Sequence, residues 1–234
     1  RMIPPIEWPG FAEDIDAIKS TLDSRGVELV LFNIPAGNVA AGDRGFSNDP
    51  RRVEEYRAAV ELALSVQQVL PAPRFNSIVG RRLPDIPISE QFETVKANLG
   101  WAAEACERQG VTLCVEPLNA IDTPDFLVPT SMQMLALIEE IGHPNLRLQY
   151  DFYHQQRMKG NLIAFFADHI GQIGHVQIAD SPERHEPGTG EINYDYVFDQ
   201  IDALGYDGWV ALEYKPTTTT EASFGWLKGY GYNV

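Results

Sequence analysis

The sequence predicts an α/β fold built as a (β/α)8 barrel, with the strand–helix unit that would open the barrel missing from the count. Three observations point there. Strand-like and helix-like stretches alternate along the whole chain with no linker or low-complexity tract between them, the pattern of a parallel sheet covered by helices. No strand is followed by a GxGxxG or other glycine-rich phosphate cradle, which weakens the doubly wound dinucleotide-binding alternative. The last four strands each carry an acidic or amide side chain at or near the C-terminal end of one shared face, where barrels keep their chemistry.

The elements follow in order. Met2 to Glu7 reads as the stub of a strand. Phe11, Ile15, Ile18 and Leu22 recur at helical spacing, and Gly26 closes that helix. Val27 to Ile34 is a nearly continuous apolar run, as expected of a parallel strand covered on both faces. After the loop PAGNVAAGDRG come a helix over about 50–69, a strand near 74–79 and a long helix over about 89–109 stopped by Gly110. Strands at 111–116, 146–151, 173–179 and 209–214 then alternate with helices at 131–141, 162–169, 194–204 and 221–227. The expectation is a single domain over residues 1–234. Its six convincing strands and one stub fall short of the eight of a closed barrel, and the deficit sits at the N-terminal side.

Composition narrows the function. Hydrophobic residues make up 44% and charged residues 22% of 234, ordinary for a globular protein. The formal net charge of −15 argues against nucleic acid, because phosphate backbones are bound by lysine and arginine. No apolar run reaches the ~18 residues of a membrane span, and the opening RMIPPIEWPG has no signal-peptide pattern, so a cytoplasmic protein without membrane contact is expected. Cys106 and Cys114 fit neither a disulfide framework nor a zinc site, and read as buried small hydrophobes.

The strands VTLCVE, LRLQYD, IGHVQIA and WVALEY share one phase. Period two places Glu116 with Cys114, Asp151 with Gln149, Gln177 with His175 and Glu213 with Ala211 on the inward face, leaving Leu113, Val115, Leu148, Tyr150, Leu212 and Val210 for the helices. Successive polar ends are one strand–helix unit apart, so a barrel gathers all four at its C-terminal mouth. Three carboxylates aimed at one point repel unless a proton or a cation lies between them. With an amide oxygen as fourth neighbour, that donor set suits a hard divalent ion, Mg²⁺ or Mn²⁺. The stretch from His175 to Tyr196 adds a polar loop with Arg184 and His185 beyond its strand, and His154 follows three residues after Asp151.

The segments NIPAGNVAAGDRG, VEPLN, QYDFYHQQRMKG, GHVQIADSPERHEPGTGEINYDY and ALEYKPTTTTEA, spread over essentially the whole chain, resemble the hydroxypyruvate isomerases. These belong to the xylose isomerase-like TIM barrels, which also include sugar epimerases and endonuclease IV. The resemblance implies a divalent metal held by Glu116, Asp151, Gln177 and Glu213, with Glu116 and Glu213 as the acid/base pair. Sugar epimerases often carry histidine in place of Gln177. It also implies a homo-oligomer and the interconversion of hydroxypyruvate with 2-hydroxy-3-oxopropanoate (tartronate semialdehyde) through an enediolate. The carboxylate of such a small-molecule substrate needs a cationic or hydrogen-bonding partner; Arg184, able to grip it with two parallel bonds, comes first, with His154 and His185 beside it. A four-carbon 2-oxo acid would use the same chemistry, and a non-catalytic sugar-acid binding barrel is the reading outside catalysis. A multi-zinc DNA-repair site is disfavoured by five histidines and the acidic charge.

Overall fold

The structure, a computed structural model, describes residues 11–231, with side chains from residue 14 onward. The strand expected at Met2 to Glu7 lies outside the described residues. Six strands form one parallel sheet in sequence order, β1 Phe32–Asn33, β2 Arg74–Ser77, β3 Thr112–Val115, β4 Leu146–Asp151, β5 Ile173–Ile178 and β6 Val210–Leu212. The helices between them are α1 Phe11–Arg25, α2 Val53–Gln67, α3 Ile88–Glu107, α4 Ser131–Ile141, α5 Phe152–Met158, α6 Leu162–His169, α7 Tyr194–Ala203 and α8 Thr220–Ser223. No helix among the described residues is long and apolar enough to cross a membrane.

Period two decides which side chain meets which layer. Leu113, Val115, Leu148, Tyr150, Val176 and Ile178 are buried against the helices. Each apolar chain hidden this way contributes about 1.5–3 kcal/mol relative to exposure. The opposite face turns inward, and the sheet curls until non-adjacent strands touch: Arg74 Nε on β2 donates to the Gly174 carbonyl on β5 at 2.6 Å. Gly174 is the extra residue where the β4–β5 register slips after Leu148. A Cβ there would stand 2.7 Å from Arg147 Cβ and 2.8 Å from Cys114 Sγ. Glycine lets three strands close on the same point.

The edges differ from the sequence expectation. Among the described residues the Val27–Ile34 run forms a strand over Phe32–Asn33 alone, with the Ile34 N–H on the Asn76 carbonyl at 2.8 Å just beyond it, and β6 is three residues long instead of six. Among the described residues β1 pairs only with β2 and β6 only with β5, so each has ladder bonds on one side. The helix α5, directly after Asp151, was also absent from the expectation. Asp151 caps it by accepting the Tyr153 N–H at 2.7 Å, and a strand residue thus doubles as a helix start. The last expected helix divides into α8 and a 3-10 segment, Phe224–Tyr230.

Candidate active site

Strand ends and the turns after them build one buried polar cluster. Glu116 follows β3 directly, Asp151 closes β4, Gln177 is the penultimate residue of β5 and Glu213 follows β6. The inward phases meet as expected. Gln149 Nε2 donates to Glu116 Oε2 at 2.9 Å and to Gln177 Oε1 at 2.6 Å. Asn76 Nδ2, on β2, donates to the same Glu116 oxygen at 2.9 Å. Glu116 Oε1 is left without a hydrogen bond in a buried position.

Helix α5 adds what the strands lack. Its first turn swings His154 back over the mouth, with Nε2 at 3.6 Å from Glu116 Oε1 and 3.6 Å from Asp151 Oδ2. The other ring nitrogen, Nδ1, accepts the Asn119 backbone N–H at 3.1 Å and lies 2.7 Å from Asn119 Nδ2. A donor on Nδ1 leaves the proton of a neutral imidazole on Nε2. Burial, reinforced by the Arg184 charge, holds His154 well below the usual imidazole range and therefore neutral.

Arg184 enters from the loop after β5. Its Nη2 lies 2.7 Å from Glu213 Oε2 and 3.4 Å from Asp151 Oδ2, while Nε donates to the Glu213 carbonyl at 3.3 Å. The guanidinium also stands 5.0 Å over the Tyr153 ring. Burial opposes its charge, but Glu213, Asp151 and Glu116 outweigh that effect and keep it ionised. Burial raises Glu116 well above the carboxylate range, and the Glu213 and Asp151 charges raise it further. Burial likewise lifts Asp151 to about 7, with Arg184 opposing and Glu213 adding.

Of the seven residues singled out in the sequence, Glu116, Asp151, His154, Gln177, Arg184 and Glu213 meet here. His185 does not join them; its Nδ1 is 2.6 Å from the Lys215 carbonyl, where it ties two loops together. Asn76, Asn119 and Tyr153 were not anticipated. Period two along RFNS would have turned Asn76 inward, whereas Asn119 lies in an irregular loop and carries no periodic signal.

The donor set fits a divalent cation. Ligand atoms of Glu116, Asp151 and His154 lie within 4.8 Å of one another, all three residues buried. Glu116 Oε1, His154 Nε2 and Gln149 Oε1 are buried with no hydrogen bond, and the two carboxylates bear a mutual repulsion that a cation relieves. The oxygens are the better ligands, because Nε2 carries its proton in the arrangement that Asn119 imposes.

The comparisons with known proteins place essentially the whole chain in one family. A sequence profile of the family described as "Xylose isomerase-like TIM barrel" matches residues 3–230. The chain is 43% identical over 217 residues to a hydroxypyruvate isomerase of Escherichia coli (strain K12), covering 93% of this chain and 84% of that one. It is 39% identical over 213 residues to a 2-oxo-tetronate isomerase of Cupriavidus necator, covering 91% and 82%. Among solved structures it resembles an AP endonuclease, family 2, from Brucella melitensis, with a TM-score of 0.88, 35% identity and coverage of 93% of this chain and 84% of that one.

Proposed function

The chain belongs to the xylose isomerase-like TIM barrel family and is an isomerase of small sugar acids, and from that premise we propose that it interconverts hydroxypyruvate and 2-hydroxy-3-oxopropanoate. The observation that carries the proposal is the gathering of Glu116, Asp151 and Glu213 from three strand ends, with Arg184 bridging Asp151 and Glu213 and His154 facing Glu116 and Asp151.

Moving the carbonyl from C2 to C3 requires loss of a proton from C3, an enediolate, and return of a proton to C2. Glu116 and Glu213 are assigned as the acid/base pair. In the metal-free protein burial and like charge raise Glu116 well above the carboxylate range; beside a bound cation it would be lowered again, to the ionised carboxylate that a base requires. His154 presents Nε2–H as a neutral donor to a substrate oxygen. Arg184 Nη1 makes no hydrogen bond among the described residues, and we assign it to the substrate carboxylate. Glu116, Asp151, Gln177 and Glu213 would hold the divalent ion, Mg²⁺ or Mn²⁺ by their oxygen donors. Bound there, it supplies electrostatic stabilisation to the negative charge that develops on the substrate oxygens.

The similarity to a 2-oxo-tetronate isomerase supports a second reading, in which the substrate carries one more carbon and the chemistry is unchanged. Steady-state isomerisation of hydroxypyruvate and of 2-oxo-tetronate, with Mg²⁺ or Mn²⁺ and after chelation, tests both. A higher kcat/KM for the three-carbon acid supports the first reading. A higher value for the four-carbon acid replaces it with the second, and turnover of neither acid overturns both.

A further inference from the structure

Arg184 reaches the carboxylates from a loop, and the loop is folded around the buried carboxylate of Asp180. Asp180, 1% exposed, accepts four backbone N–H groups. Its Oδ1 takes those of Ser181 at 2.9 Å and Ile192 at 3.1 Å. Its Oδ2 takes those of Gly188 and Gly190, both at 2.9 Å. Its own main chain closes the inner turn, with its N–H on the His185 carbonyl at 2.8 Å and its carbonyl accepting the Arg184 N–H at 3.0 Å. Gly190 passes so near that a Cβ would stand 2.6 Å from Asp180 Oδ1 and 2.1 Å from the Ser181 carbonyl.

Arg184 itself has φ of +60°, a left-handed conformation that a side chain of this size adopts only when its surroundings impose it. The Lys215 N–H on the Arg184 carbonyl at 2.8 Å completes the clamp. We propose that Asp180 is a positioning residue, whose carboxylate holds Arg184 in this conformation and so sets the guanidinium against Glu213 and Asp151. The inference deepens the isomerase reading and rests on it for its kinetic arm alone.

Asp180→Asn is the discriminating change. The shape is kept, but the new amide group turns a donor toward two of the four N–H groups, leaving them unpaired in a buried place. In the Asp180→Asn protein, labelling of Arg184 by phenylglyoxal, followed by peptide mass spectrometry, is expected to rise several-fold, with the exposed Arg82 unchanged as reference. The kinetic expectation is a roughly 10- to 100-fold loss of kcat/KM, of the size seen when a residue orienting an active group is removed. That loss should disappear in an Arg184→Ala background. Unchanged Arg184 labelling, or losses that multiply in the double variant, overturns the proposal.

If the wild-type protein isomerises no sugar acid, the isomerase reading fails, and the labelling arm still decides the role of Asp180. Should Asp180→Asn not fold, hydrogen exchange on the wild-type protein decides instead. The Gly188, Gly190 and Ile192 amides are expected to exchange as slowly as those of β5, and exchange at the rate of open loops overturns the proposal.

Discussion

Arg184 Nη2 lies 2.7 Å from Glu213 Oε2, an ion pair that joins the loop after β5 to the residue that follows β6. Glu213 is partly exposed; its N–H donates to the Ile178 carbonyl on β5 at 3.0 Å, and the ion pair fixes the side chain beyond that backbone bond. The Arg184 fork serves Glu213 twice, through the carboxylate and the backbone carbonyl, which an ammonium group cannot reproduce. Arg184→Lys is therefore expected to keep the melting temperature within a few degrees while lowering kcat/KM by roughly 10- to 100-fold. Kinetics within threefold of wild type would show that charge alone is enough.

The acidic cluster sets a pH dependence for the metal-free protein. Burial and like charge raise Asp151 and Glu116 above their unfolded values, from 3.8 to about 7 for Asp151 and from 4.5 upward for Glu116. The folded state then retains protons that the unfolded chain releases. Its advantage is greatest below about pH 4 and declines as pH rises through about 7. After chelation the melting temperature is expected to fall by roughly 5 °C or more between about pH 5 and 8. Added Mn²⁺ should restore it at the upper end, because a ligand bound by the folded state alone stabilises that state. A flat profile in chelator, or the same slope in Asp151→Asn, contradicts the origin given to it.

The amino-acid order carried much of this site and left out a definable part. Glu116, Asp151, Gln177 and Glu213 were legible because a strand has period two and a barrel has one mouth. A few residues of β3 to β6 suffice to phase them. His154 was legible as a neighbour of Asp151, but the helix that carries it was not, because α5 begins at Asp151 and FYHQQRM resembles a continuation of the loop unless Asp151 is read as a cap. The different fates of Arg184 and His185, adjacent in sequence, follow from the positive φ at Arg184, which turns one side chain to the carboxylates and leaves the other on Lys215. No pattern of residue types in SPERHEPG encodes that turn.

The two thiols offer a check on the interior. Cys114 lies on the inward face under Gly174 and Cys106 on the buried face of α3, and burial pushes each up to about 12. At pH 8 both are protonated, and a protonated buried thiol is a poor nucleophile. The native protein is expected to release no thionitrobenzoate from Ellman's reagent over minutes, and two equivalents per chain once unfolded in guanidinium. Rapid labelling of Cys114 in the folded state would mean that the closure around Gly174 opens in solution.

The two histidines singled out in the sequence, His154 and His185, should respond differently to removal. His154 faces Glu116 and Asp151 through Nε2 with no alternative partner, held by Asn119 behind it. Loss of one preorganised donor to a reacting oxygen costs about 10²–10³-fold. His154→Ala is expected to lower kcat by at least roughly 100-fold on that basis. His185, turned to the Lys215 carbonyl, contributes one hydrogen bond between loops, worth about 1 kcal/mol. His185→Ala should lower the melting temperature by a few degrees and leave kcat within about threefold of wild type. Turnover numbers for the pair, measured with saturating Mn²⁺ so that metal loss does not intervene, decide the assignment. Equal losses in both variants would place His185 at the substrate after all, and a nearly silent His154→Ala would remove His154 from the chemistry.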